Sequence, residues 1–193
     1  MSSRDLILAA VKANQPESTI LPVVNIPQST ENLVERFTTI ASAIGSRVFE
    51  INSLDEIKAI LSTEFDSSSR IISSFNELSD IAETNTSQSL PHALENVDLA
   101  ILKADLAVAE NAALWVPELN TMQRVLPFIA QHLALVVSVN TLVPTMHQAY
   151  EVIGNQEYGY AAFIAGPSKT ADIEQSLVLG AHGPRSMTVF LLK

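Results

Sequence analysis

The chain has no cysteine among its 193 residues. Disulfides, thiolate nucleophiles and Cys-ligated zinc or iron–sulfur clusters are therefore excluded for it, and the absence fits a reducing compartment. Cations are scarce: 11 Lys and Arg stand against 21 Asp and Glu, a formal net charge of −10. Nucleic acid and anionic membranes call for clustered basic side chains, so neither is expected as a partner. Long apolar runs are missing as well. Residues 6–11 are too few for a usual signal peptide and lack a cleavage context, and no stretch approaches the roughly 20 apolar residues of a membrane span. A cytoplasmic location is the expectation. No Gly-x-Gly-x-x-Gly opens a helix and no Gly-x-Ser-x-Gly elbow exists, so nicotinamide binding and α/β-hydrolase chemistry lack support. His92, His132, His147 and His182 form no i, i+4 pair and have no carboxylate at ligand spacing, so neither a metal site nor a cofactor is expected. His92 and His147 read as solvated and His132 as packed at a strand entrance.

What is present is enough apolar residue, 47%, for one sizeable core. Residues 1–28 read as an N-terminal helix (3–13, behind a Ser cap) and a proline-rich extended connector. Residues 29–193 read as a single α/β domain. Within it a helix is expected over 29–44, with Leu33, Phe37, Ile40 and Ile44 inward and Gly45 as its stop. A strand follows at 47–51, then a helix at 53–63 opened by a Ser53/Glu56 capping box, and a strand at 70–73. Residues 75–92 are polar and read as a loop or frayed helix. Apolar runs at 97–101, 106–109, 112–116, 133–139, 161–165 and 187–192 read as strands, the valine-rich 133–139 as a central one. Helices are expected over 121–132 and 142–153, the second with Pro144 in its first turn. This alternation predicts an open parallel or mixed sheet covered on both faces. Trp115, Tyr158 and Tyr160 read as packing residues.

The stretch carrying the most chemistry is Gly166-Pro167-Ser168-Lys169-Thr170-Ala171-Asp172-Ile173-Glu174, followed by Gly180-Ala181-His182-Gly183-Pro184-Arg185. The pattern predicts strand, Gly-Pro turn, short helix capped at Ser168 or Thr170, Gly-rich loop, strand. Free N–H groups at such a helix start suit an anion, and Lys169 and Arg185 would add cations. Ordinary turn and capping chemistry explains the same residues. Arg185 would grip a carboxylate or phosphate, or pair with Asp172 or Glu174. Asp172 is a first-turn acid or a site carboxylate. His182 would donate to a ligand or move a proton, and Glu110 would act as base or nucleophile; each is otherwise a surface side chain.

The same residues, with the spacer 175–180 and the ending Ala-His-Gly-Pro-Arg-Ser, resemble the C-terminal signature of the lactate-utilisation protein C family, built on the LUD domain. The likeness continues less sharply through 97–139 and is one of pattern only before residue 90. It implies an open α/β sheet of the ribose-phosphate isomerase and coenzyme A transferase-like class, with ligands over the carboxyl ends of strands. It also implies one component of a system oxidising L-lactate to pyruvate. Such oxidation needs a redox centre, which this chain lacks the residues to carry. The implied role is to bind a small carboxylate or dock an iron–sulfur redox partner of the same pathway. The expected site comprises Gly166, Ser168, Lys169, Thr170, Asp172, His182, Gly183 and Arg185, with Glu110 and His182 as catalytic candidates. The expected partners are that redox protein and a small anionic ligand, and a homo-oligomer stays open. The resembled family has Glu-Thr-Gly-Thr where this chain reads Glu110-Asn111-Ala112-Ala113. A transferase or isomerase of coenzyme A esters or sugar phosphates using Glu110, or a scaffold that has lost its site, are the competing readings.

Overall fold

The valine-rich run lies near the middle of the molecule, and the rest is layered around it. The computed structural model describes residues 2–20, 22–26, 32–85, 90–171 and 177–193. The elements, in order, are α1 (Ser3–Ala13), α2 (Leu33–Ala43), β1 (Ser46–Ile51), α3 (Asp55–Leu61), β2 (Ile71–Ser73), β3 (Leu99–Lys103), β4 (Leu106–Val108) and β5 (Ala113–Pro117). Then come α4 (Leu126–Ile129), β6 (His132–Ser138), β7 (Leu142–Val143), α5 (Met146–Ile153), β8 (Ala161–Ile164), β9 (Lys169–Ala171), β10 (Leu177–Leu179) and β11 (Ser186–Leu192).

Among the described residues, five strands form a wholly parallel sheet in the order β1-β11-β6-β3-β2. A second sheet, β7-β4-β5-β8, is mixed, and β9 and β10 pair as an antiparallel hairpin. One face of the parallel sheet (Leu102, Leu135, Val189) meets the second sheet (Leu114, Val116), with Phe37 of α2 closing the edge. Its other face (Ile101, Val136, Phe190) is covered by Ile57 and Leu61 of α3. The outer face of the second sheet packs Val108 and Trp115 against Ala149 and Ile153 of α5. Both faces of β6 are thus buried, which is why it reads as continuous apolar sequence without alternation. Each such Leu, Ile, Val or Phe contributes about 1.5–3 kcal/mol of burial.

Local chemistry sets the element ends. Ser2 and Asp5 form a complete capping box ahead of α1. No residue of α1 is buried, and Leu6, Ile7 and Val11 are 57%, 63% and 58% exposed. Asn32 caps α2, whose expected start at residue 29 lies outside the described residues. Gly45 ends it at φ +97, a conformation that costs a side-chain-bearing residue dearly. No helix of the described residues is long and apolar enough to cross a membrane.

Four expectations need correction. Residues 168–178 do not form a helix: Lys169–Ala171 and Leu177–Leu179 are strands of a hairpin, and the positions between them, including Asp172 and Glu174, lie outside the described residues. The helix expected over 121–132 shrinks to Leu126–Ile129, because Pro127 begins a helix rather than interrupting one and Ala130 returns to extended backbone. Leu142 and Val143 pair with β4 as a strand, and α5 starts only after Thr145, whose hydroxyl accepts from Gln148 N–H. At α3, Leu54 is the cap residue, and Glu56 accepts from Asn52 N–H at 3.0 Å instead of completing a box with Ser53.

Candidate functional site

Two backbone bridges join the signature segments. Ser168 N–H donates to Pro184 O at 2.9 Å, and Gly180 N–H donates to Ser168 O at 3.0 Å. A third, Arg185 N–H to Gln131 O at 2.8 Å, ties the loop to the residue that precedes β6. A methyl group placed on Gly180 would lie 2.4 Å from Arg185 Cγ, so the Arg185 stem runs directly over this glycine. Likewise a methyl on Gly183 would stand 3.2 Å from Ser168 Cβ. The structure therefore brings Ser168, Gly180, Gly183 and Arg185 together.

Other expected members are held elsewhere. Lys169 Nζ donates to the Ile44 carbonyl at 2.5 Å, at the C-terminal cap of α2. A cation there offsets the negative end of the helix, so its charge is directed at the protein's own backbone. Gly166 packs against the same turn: a methyl on it would come within 3.1 Å of Ile44 O. Thr170 Oγ1 donates to Val178 O at 3.2 Å inside the hairpin. His182 and Arg185 are both exposed, as are His92 and His147. Among the described residues no carboxylate forms an ion pair with Arg185. Asp172 and Glu174, its expected competitors, lie outside those residues.

The edge on which these groups sit differs from the expected one. Ser186 opens β11 and pairs in register with His132, which opens β6 beside Leu99 of β3. Arg185 is therefore at the amino ends of the parallel strands, not over their carboxyl ends.

Glu110 is half-buried in the turn joining β4 to β5. Asn111 Oδ1 accepts from Ala113 N–H at 3.1 Å, and Ala112 takes φ +55. The turn thus keeps the left-handed residue that glycine would favour, carried here by alanine. Because Leu114 pairs with Ile164, Glu110 lies toward the end of the second sheet from which Gly166 departs. Among the described residues no hydrogen bond or ion pair links Glu110 to His182 or Arg185.

Sequence reasoning passed over the strand-entrance pair. His132 Nδ1 lies 2.7 Å from Ser186 Oγ, and its ring meets Phe65 edge-on at 5.4 Å. Neither partner is near it in sequence, so no local signal could have found the contact. Burial pushes the imidazole below its ordinary value, the Arg185 charge adds to this, and Asp98 and Glu64 oppose it. A depressed histidine value means the folded state prefers the neutral ring. Its contribution to stability is complete above the ordinary value of 6.5 and is lost as pH falls from there through the depressed one. Substituting Gln for His132 is expected to flatten that part of the stability–pH curve, read as urea midpoints above the carboxylate range. An unchanged curve would remove His132 as its source. Also at this edge, Ser46 Oγ is buried without a hydrogen-bond partner among the described residues.

No group of three or more His, Asp or Glu among the described residues could hold a metal ion. Clefts among those residues, such as one of about 670 Å³ between the connector and α5, are lined by other side chains. The arrangement at the Arg185 loop is consequently an open surface: one guanidinium and one imidazole, with exposed Val178, Leu179 and Phe128 nearby in the same segment and loop. It suits contact with a carboxylate more than enclosure of a substrate.

Known proteins resemble the chain at two levels. The crystal structure of a DUF162 family protein from Deinococcus radiodurans superposes with a TM-score of 0.67 at 16% identity, over 86% of this chain and all of that one, which shows a shared fold. The lactate utilization protein C of Geobacillus kaustophilus (strain HTA426) is 37% identical over 98 residues, 48% of this chain. That of Exiguobacterium sp. (strain ATCC BAA-1283 / AT1b) is 27% identical over 182 residues, 85% of this chain and 79% of its own length. The matched stretch spans only 41% of the Geobacillus kaustophilus relative and 43% of that of Geobacillus sp. (strain WCH70). The sequence model of the LUD domain matches residues 31–192, nearly the whole of the layered body, and the chain belongs to that family.

Proposed function

We propose that the chain is a non-redox component of an L-lactate utilisation system, presenting Arg185 and His182 to a carboxylate carried by a small acid or by a redox partner. The observation that carries the reading is the placement of Arg185. Its backbone is tied to Gln131, its stem lies over Gly180, and its guanidinium is exposed with no carboxylate paired to it among the described residues. Relatives that the chain resembles carry the name lactate utilization protein C, and the chain has neither a cysteine nor a dinucleotide motif with which to move electrons itself.

Calorimetric titration of wild type and Arg185→Ala with L-lactate and with pyruvate tests it. A charge-assisted bidentate contact is worth about 1.5–3 kcal/mol, so the variant should bind roughly 10- to 100-fold more weakly. If neither acid binds, the same comparison with a cysteine-rich redox component of the pathway decides whether Arg185 contacts a partner. Equal behaviour of both proteins in both titrations removes the reading.

A further inference from the structure

Helix α1 is an 11-residue helix with no buried residue among the described ones. Leu6, Ile7 and Val11 share one side, each more than half exposed, and Ile20 in the connector is 97% exposed. Isolated helices shorter than about 12–15 residues are marginal in water, so a capped amphipathic helix of this length gains its stability from a surface that covers it. The connector between Ala13 and Ile26 has no helix or strand where it is described, and its length lets it carry α1 up to on the order of 40 Å from the body.

Among the described residues the body offers a matching surface. Pro22, Val24 and Ile26 of the connector and Met146, His147 and Tyr150 of α5 line a groove of about 670 Å³, open to solvent. Tyr150 is 59% exposed, and its ring meets Phe163 of the aromatic cluster at 5.7 Å. The charges are complementary. Arg4 and Lys12 against Asp5 give α1 a net +1, which leaves −11 on the remainder of a chain at −10. No Lys or Arg occurs between Arg124 and Lys169, whereas Glu151 in the groove and Glu157 just beyond it are acids. Asp5 is occupied by Ser2, so the cations of α1 are the charges left facing outward.

We infer that α1 of one molecule seats in the connector–α5 groove of a second copy, and that the exchange is reciprocal. The two copies then cover both apolar helix faces and both grooves, with Arg4 and Lys12 over the acidic rim. The second copy is the occupant of choice because no residue of a chain's own α1 is buried among the described residues, while every copy carries both the helix and the groove.

The absence of cysteine makes the test clean. Ala10→Cys on the apolar side of α1 and His147→Cys in the groove are purified separately, mixed at micromolar concentration and oxidised. A disulfide between these two different chains forms only through contact between molecules. The expected results are a mixed covalent dimer, wild type at twice the chain mass by light scattering, and a Leu6→Ser/Val11→Ser variant at the mass of one chain. Since no residue of α1 is buried among the described residues, that variant should keep the thermal midpoint of the body. The inference fails if the mixture gives no cross-link while a chain carrying both cysteines closes on itself. It fails equally if wild type is monomeric and α1 instead carries it onto phospholipid vesicles.

Discussion

Phe190→Ala is expected to cost the fold about 3–5 kcal/mol, the range for removing a fully enclosed aromatic ring. Phe190 sits on β11, the strand held between β1 and β6, and has no exposed surface. Its ring lies 5.9 Å from that of Phe49 and belongs to the core that also holds Ile57, Leu61 and Val136. Parallel neighbours on both sides prevent β11 from shifting to fill the void, so the cavity persists and adds to the transfer cost. Against a typical total of about 5–15 kcal/mol such a loss brings the protein close to unfolding at room temperature. Leu192→Ala, at the half-buried end of the same strand, should cost distinctly less. Urea titrations of the two variants decide the matter, and a Phe190 cost no greater than that of Leu192 would mean the ring is not enclosed.

The parallel sheet was legible because burial on both faces writes itself into sequence as unbroken runs of Val, Leu and Ile, as in residues 133–137. Helix α1 was legible for the opposite reason: none of its residues is buried among the described ones, so capping and periodicity set its ends. The misreadings fall where local and distant forces compete. At residues 168–178 the apolar positions Ile173, Leu177 and Val178 behind a Ser168 or Thr170 cap suggested a helix, yet Thr170 and Val178 face each other across a hairpin. The loop backbone that Ser168 and Gly180 join, and that Arg185 ties to Gln131, is set by strands distant in sequence. Pro127 and Pro144 were taken as positions inside helices that they in fact start or precede.

The candidate site divides the same way. Its residue types were visible, and the convergence of Ser168 with Arg185 follows from two glycine-containing turns. The destination of Lys169 was not visible, since its acceptor, the Ile44 carbonyl, is 125 residues away. Cations near an anion motif invite a ligand reading, but a helix C-terminus competes for the same ammonium. The His132–Ser186 contact, 54 residues apart in sequence, escaped for the same reason. The placement of the loop at the amino edge is a matter of strand direction, which no composition or periodicity encodes.

Gly180→Ala should destabilise the protein by about 1–3 kcal/mol and move Arg185, for two reasons that can be measured apart. The residue has φ +78, where any side chain is strained, and its new methyl would lie 2.4 Å from Arg185 Cγ and 3.2 Å from Arg185 Cα. Making the same substitution in an Arg185→Ala background deletes the Cγ atom and leaves the backbone strain. The cost of Gly180→Ala should therefore fall in that background, with a coupling of about 1 kcal/mol in the cycle, as expected for side chains in contact. Gly183→Ala, whose methyl would meet Ser168 Cβ at 3.2 Å and Ser168 Oγ at 3.5 Å but no atom of Arg185 among its nearest neighbours, should show little coupling to Arg185. Any carboxylate affinity that depends on Arg185 should drop with Gly180→Ala in the wild-type background and be indifferent to it once Arg185 is gone. Equal costs in both backgrounds would show that the Arg185 stem does not lie over Gly180, and the geometry on which the carboxylate reading rests would fall with it.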